Sequence, residues 1–216
     1  MKILNSSAVL LASILLIGIG ICDAKDPVPS GAEIAAIESA YLAVDDLTAD
    51  FTQETKIELL DRTVLKRGTF RFKKGGKLRI EYADKGGKHY VSDGTTLWTF
   101  VPGDDASLDT FSVDERNVPR EALSFLGGFG RLTKEFKVSG SAAFKEARPG
   151  ETALTLVPRR ASAQYESLEA LFGADRLLRE LVVKNVSGNV SRYSFKEIRT
   201  NSGLPDRLFT LSSGKA

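Results

Sequence analysis

Cysteine and histidine are almost absent from this 216-residue chain, with one of each, Cys22 and His89. A lone histidine excludes histidine clusters, zinc triads and HExxH helices. Its place between Lys88 and Tyr90, on an expected strand, reads as an incidental surface side chain. A lone cysteine excludes an internal disulfide. Charge of one sign is also lacking, since 30 Lys and Arg meet 28 Asp and Glu for a formal net charge of +2. The cations are spread singly and no arginine–lysine cluster is interleaved with aromatics, so no nucleic-acid partner is expected. There is neither a GxSxG elbow nor a Walker phosphate loop. Gly127-Gly128-Phe129-Gly130 is glycine-rich, but no buried strand feeds it as a dinucleotide fold requires. It reads as a helix stop or hinge. Asp45-Asp46, at a helix end, and Asp104-Asp105, in a Gly-Pro loop, read as solvated positions rather than paired catalytic carboxylates. No catalytic residue, metal or cofactor is expected, and the chain reads as a non-enzyme.

Long apolar runs are missing too, except at the start. Lys2 precedes an apolar stretch over residues 9–21, and Cys22-Asp23-Ala24 sets small residues three before and one before a cut ahead of Lys25. This is the layout of a secretory signal over residues 1–24, cleaved after Ala24. The rival is an uncleaved anchor, but the uncharged run 5–22 only just reaches spanning length and two glycines dilute it. Cleavage would remove Cys22 and with it all thiol chemistry. Export without disulfides suits a bacterial periplasm, so the sequons at Asn185 and Asn189 read as chance. Residues 25–216 are then enough for one domain with a real core.

Ser30 stands three residues before Glu33, the capping-box spacing. Ile34, Ile37, Tyr41, Val44 and Leu47 follow at helical spacing and predict one apolar helix face. After Leu47 the period becomes 2. Ala49, Phe51, Gln53, Thr55, Ile57 and Leu59 alternate with charged and polar neighbours, then a turn at Asp61-Arg62 leads to a strand over 64–72. Gly75-Gly76, Gly86-Gly87 and Asp93-Gly94 are the next turns, the last a hairpin dipeptide. Further strands are expected over 108–113, 136–138, 153–157, 168–172, 177–184, 190–198 and 207–211. A helix opened by Pro119 would carry Ala122, Leu123, Phe125 and Leu126. The sum is a large, mostly antiparallel sheet with a helix at the start and helical material near its middle. Each strand has one apolar and one charged face, and two short amphipathic segments are little cover for so many strands. An ordinary closed core and a pocket for an apolar ligand both fit this pattern.

Several segments resemble the outer-membrane lipoprotein carrier family of Gram-negative bacteria, the LolA-like fold. Ser92-Asp93-Gly94-Thr95-Thr96-Leu97-Trp98 resembles that family's SDGKTLW hairpin, and Ala49-Asp50-Phe51-Thr52-Gln53 its ADFxQ strand. Gly68-Thr69-Phe70-Arg71-Phe72-Lys73-Lys74, Lys77-Leu78-Arg79-Ile80-Glu81-Tyr82 and Leu154-Thr155-Leu156-Val157-Pro158 are similar to three further family elements, in the right order. The resemblance implies an unclosed antiparallel half-barrel of about eleven strands, lidded by helices, mainly β with α. It also implies a periplasmic carrier that shields lipoprotein acyl chains. Cargo would come from an inner-membrane ABC lipoprotein-releasing complex and pass to an outer-membrane receptor, with the carrier a monomer. A relative that carries or senses a free lipid or glycolipid is the alternative. An anchored receptor is disfavoured because Ile21, before Cys22, spoils a lipidation site. The expected lining is Phe51, Phe70, Phe72, Leu78, Ile80 and Tyr82, with Leu123 and Leu126 from the lid. In the hairpin either Trp98 and Phe100 or Leu97 and Thr99 face inward, and Trp98 is included in the expected lining. Many members have Arg-Pro where this chain has Lys74-Gly75, and the arginine latches the lid. Lys74 is therefore the expected latch, without the planar guanidinium fork.

Overall fold

The computed structural model describes residues 29–113, 131–144, 147–162 and 165–211. Ser30 caps α1, Gly31–Leu42: its hydroxyl accepts from Glu33 N while the Glu33 carboxylate accepts from Ser30 N at 2.8 Å. The apolar spacing predicts a helix running on to Leu47, yet α1 stops at Leu42. Asn201 ends it. The Asn201 amide donates to Ala43 O and accepts from Asp45 N, taking over a carbonyl that the helix end leaves free. Val44 and Leu47 are buried all the same, Leu47 from a strand.

Among the described residues eleven strands follow: β1 Asp46–Ile57, β2 Arg62–Lys73, β3 Lys77–Tyr82, β4 His89–Asp93, β5 Thr96–Val101 and β6 Asp104–Ser112, then β7 Phe136–Gly140, β8 Thr152–Pro158, β9 Tyr165–Phe172, β10 Leu178–Asn185 and β11 Val190–Thr200. A four-residue helix, α2 (Leu132–Glu135), precedes β7. All form one sheet in the order β6-β5-β4-β3-β2-β1-β11-β10-β9-β8-β7. Two antiparallel meanders are joined where β1 pairs with β11, and the end strands β6 and β7 do not pair, so the sheet is unclosed. The expected strand at 207–211 is instead a 3-10 turn, Asp206–Phe209. Pro205 before it has no N–H for a ladder, and β11 is already paired on both sides. The expected helix after Pro119 lies outside the described residues.

Register sorts the side chains into two faces, because residues directly opposite each other share a face. The inner face carries the row Leu47–Phe72–Leu78–Ser92–Leu97 and, next to it, Ala49–Phe70–Ile80–Tyr90–Thr99. α1 covers it with Ile37, which is fully buried in the main core together with Leu47, Phe70, Phe72, Leu78 and Leu97. Tyr41, beside it, accepts a hydrogen bond from Leu178 N at 3.0 Å, and burial pushes its phenol well above the usual range. Glu38 ties α1 to the segment before β7 by accepting from Thr133 N and Oγ1.

The outer face carries charge and the C-terminal turn. Asp206 accepts from Lys73 and Lys77 at 2.6 Å each, and these lysines hold its carboxyl down to about 2. Arg79 donates to Leu208 O. Phe209, Val91 and Phe100 are buried outside the main core, as a smaller apolar layer on this side.

Asp46 corrects the solvated reading of Asp45-Asp46. It is 3% exposed and accepts from Ser202 N and Oγ, Gly203 N and Leu204 N at 2.8–3.1 Å. Burial acts to raise its carboxyl, but these donors outweigh that and hold it below the ordinary value. His89 is no loose surface residue either. Its ring packs edge-on against Phe100 and its Nε2 lies 3.3 Å from Tyr82 O.

Candidate functional site

The inner face of β1–β4 gathers the apolar residues expected as a lining. Phe51 pairs with Gly68, which pairs with Tyr82, so these three stand in one row beside Ala49–Phe70–Ile80–Tyr90. The Phe51 ring lies over Gly68: a Cβ there would meet it at 2.8 Å and Glu81 O at 2.2 Å. Glycine thus lets an aromatic ring cross onto the next strand. Phe51 then meets Tyr82 edge to face at 5.3 Å, and Tyr82 meets Tyr90 at 6.5 Å. On the other side Phe51 lies 6.4 Å from Tyr193, which stacks on Phe195. The result is a continuous aromatic and aliphatic surface across β11, β1, β2, β3 and β4.

Cover is uneven along that surface. At the end beneath α1, Leu47, Phe72 and Leu78 are buried; towards the far end Ile80, Tyr82, Tyr90 and Tyr193 are only partly buried. Polar groups begin there. Tyr82 Oη donates to Gln53 Oε1 at 2.7 Å, and Lys66 Nζ stands 5.3 Å above the Tyr82 ring. The inner face therefore grades from sealed core to an amphipathic lip. Among the described residues of the lining, Thr99 Oγ1 is buried without a hydrogen-bond partner.

Phe51, Phe70, Phe72, Leu78, Ile80 and Tyr82 thus share one face. Trp98 does not. It pairs with Val91, which pairs with Arg79, so it stands on the outer face, while Leu97 and Thr99 take the inner one. Alternation alone leaves that choice open, and only the one-residue register decides it. Leu123 and Leu126 lie outside the described residues. Lys74 sits at the base of α1, its Nζ 2.6 Å from Asp45 Oδ1 and its N–H on Asp45 O, with both side chains exposed. Tyr90, Tyr193 and Phe195 are inner-face residues that sequence reasoning did not single out. The spacing of Tyr193 and Phe195 in an expected strand was the available signal.

The outer side offers a different chemistry. A hollow of about 490 Å³ there touches Asp50, Arg67, Glu81, His89 and Lys196 as well as Phe51 and Tyr82. Burial acts to raise the Glu81 carboxyl, but Arg79 and Arg71 hold it below its ordinary value. Charges of this kind are costly to strip of water, so an apolar group is better matched to the inner face. Among the described residues, no group of three or more His, Cys, Asp or Glu could hold a metal ion, and no helix is long and apolar enough to cross a membrane.

The described residues thus form an unclosed antiparallel sheet with one apolar face that a helix partly covers. The family model described as outer membrane lipoprotein carrier protein LolA matches residues 43–212. The chain belongs to this family. An outer-membrane lipoprotein carrier protein of Alkalilimnicola ehrlichii is 32% identical over 173 residues, covering 77% of this chain and 72% of the relative. A protein of the same description from Bordetella avium is 28% identical over 178 residues, covering 81% and 82%. A solved LolA superfamily structure from Nitrosomonas europaea superposes with a TM-score of 0.45 at 14% identity, covering 83% of this chain and 96% of that one.

Proposed function

We propose that this protein is a periplasmic carrier of lipoproteins, making and breaking no bond. It shelters their acyl chains against the inner face and moves them from the inner to the outer membrane. The observation that carries this reading is the continuous apolar surface of Phe51, Phe70, Ile80, Tyr82 and Tyr90, sealed at the α1 end and half-open at the other. Acyl chains gain about 0.8 kcal/mol for each methylene withdrawn from water, so several chains on such a face would bind too tightly to release. Helices that must be displaced offset part of that gain. Leu123 and Leu126 are proposed as lid contacts, and Lys74 as the latch, acting through Asp45 at the base of α1. The donor is an inner-membrane ABC lipoprotein-releasing complex and the acceptor an outer-membrane receptor. Residues 1–24 act as a cleaved export signal, and the carrier works as a monomer.

Native mass spectrometry of the protein purified from its own periplasm tests the reading. The expected result is a population bearing a triacylated lipoprotein. A bound free lipid or glycolipid with no lipoprotein would sink it and favour a carrier or sensor of that lipid.

A further inference from the structure

One end of the sheet carries apolar side chains that the protein leaves in water. The β1–β2 hairpin ends in a 3-10 turn, Glu58–Leu60, reversed by Asp61 in the left-handed conformation (φ 42°). Leu59 is 93% exposed, Leu60 64% and Leu65 55%; Val186, on the β10–β11 turn, is 51% exposed. Of five described large apolar side chains more than half exposed, these are four, so the exposure is concentrated rather than scattered. The two turns are bound together, since Glu58 N donates to Asn189 Oδ1 at 3.1 Å. Leu59, Leu60 and Val186 are therefore presented on adjoining turns, with Leu65 three residue pairs back along β2.

Three observations say what meets this tip. It protrudes: a residue as bare as Leu59 needs a partner that closes around it, and a bilayer interface does so without a matching groove. It lies at the end of β1 away from α1, several residues beyond Gln53, which pairs with the half-buried Tyr193 of the inner face. At the turn itself Lys56 and Arg62 balance Glu58 and Asp61, which leaves the apolar contact dominant.

We infer that the β1–β2 hairpin tip is a membrane-docking element, with Leu59 and Leu60 entering the interfacial region of a phospholipid bilayer and Leu65 and Val186 beside them. This does not rest on the inner face holding lipid. Each methylene withdrawn from lipid changes partitioning about fourfold, so the two leucines dominate the contact even when only partly inserted.

Cosedimentation with vesicles of phosphatidylethanolamine and phosphatidylglycerol tests it, using the purified whole protein with its N-terminus fixed by mass spectrometry. The wild type should bind, and the Leu59→Ala, Leu60→Ala double variant should bind at least about tenfold more weakly. Leu108→Ala, an exposed apolar change on β6, should bind as wild type does. Wild type that ignores vesicles, or a double variant that binds equally, overturns the inference. So does a loss shared by Leu108→Ala. Concentration-dependent self-association abolished by the double variant, without vesicle binding, overturns it in favour of pairing between copies. Displacement of a fluorescent fatty acid from the same variants reads the inner face separately. Failure there leaves the docking result standing, and the reverse also holds.

Discussion

Phe51 lies across Gly68, with its ring 2.8 Å from the point a Cβ at residue 68 would occupy. The same Cβ would stand 2.2 Å from Glu81 O, a backbone atom that cannot swing away. Gly68→Ala should therefore destabilise by about 1–3 kcal/mol, as overpacked sites do. A denaturant titration should show the lower midpoint at unchanged slope. Wild-type stability would mean that the ring can move off β2 without cost.

Asp46 is the clearest pH-sensitive group. Its folded carboxyl sits below the unfolded value, so its contribution is fully present above about pH 4 and is lost as pH falls through the folded value. Asp46→Asn should lower stability at pH 7 by about 1–3 kcal/mol and flatten the decline below about pH 4. Urea midpoints across that range check it. Parallel declines in both proteins would assign the acid limb to other carboxylates.

Thr99 predicts a gain. Its buried Oγ1, without a partner among the described residues, costs about 1 kcal/mol or more against a methyl of similar size. Thr99→Val should raise the melting temperature by several degrees. A drop would mean that the hydroxyl has a partner in solution.

Placement on the two faces separates Ile80 from Trp98. Ile80→Asp should weaken binding of a fluorescent fatty acid at least about tenfold, because a carboxylate must be desolvated or protonated there. Trp98→Phe, on the other face, should leave the affinity unchanged. Equal losses from both would show that the ligand does not use the inner face.

Lys74 and Asp45 form an exposed pair, worth under about 1 kcal/mol to stability. Lys74→Leu should therefore melt as wild type does yet release a bound fatty acid faster, if the pair holds the base of α1. Equal release rates would remove Lys74 from gating.

Period-2 alternation made most strands and turns legible, because one face of each is apolar and the reversals use glycine or Asp-Gly pairs. It failed where a distant partner decides. Helical spacing ran on to Leu47 since nothing local says that Asn201 will cap the chain at Ala43. Asp46 read as solvated because its four donors come from 202–204, remote in sequence. The 207–211 segment alternates like a strand, yet both flanks of β11 are taken. For Trp98 alternation leaves both faces open, and only its pairing with Val91 puts it on the outer one. The unclosed form came from motif resemblance, as did the proposed ligand, since alternation is the same in a closed core.

The pairing of β1 with β11 also governs assembly. Phe51 meets Phe195 across that seam, so the first strand waits for the last before the sheet has a middle. Such long-range closure is slow, on the order of milliseconds to seconds. The aromatic surface stays bare until the C-terminal strands have emerged. A chain cut short before β11 would lose the seam itself, leaving two ribbons with sticky edges and nothing to join them.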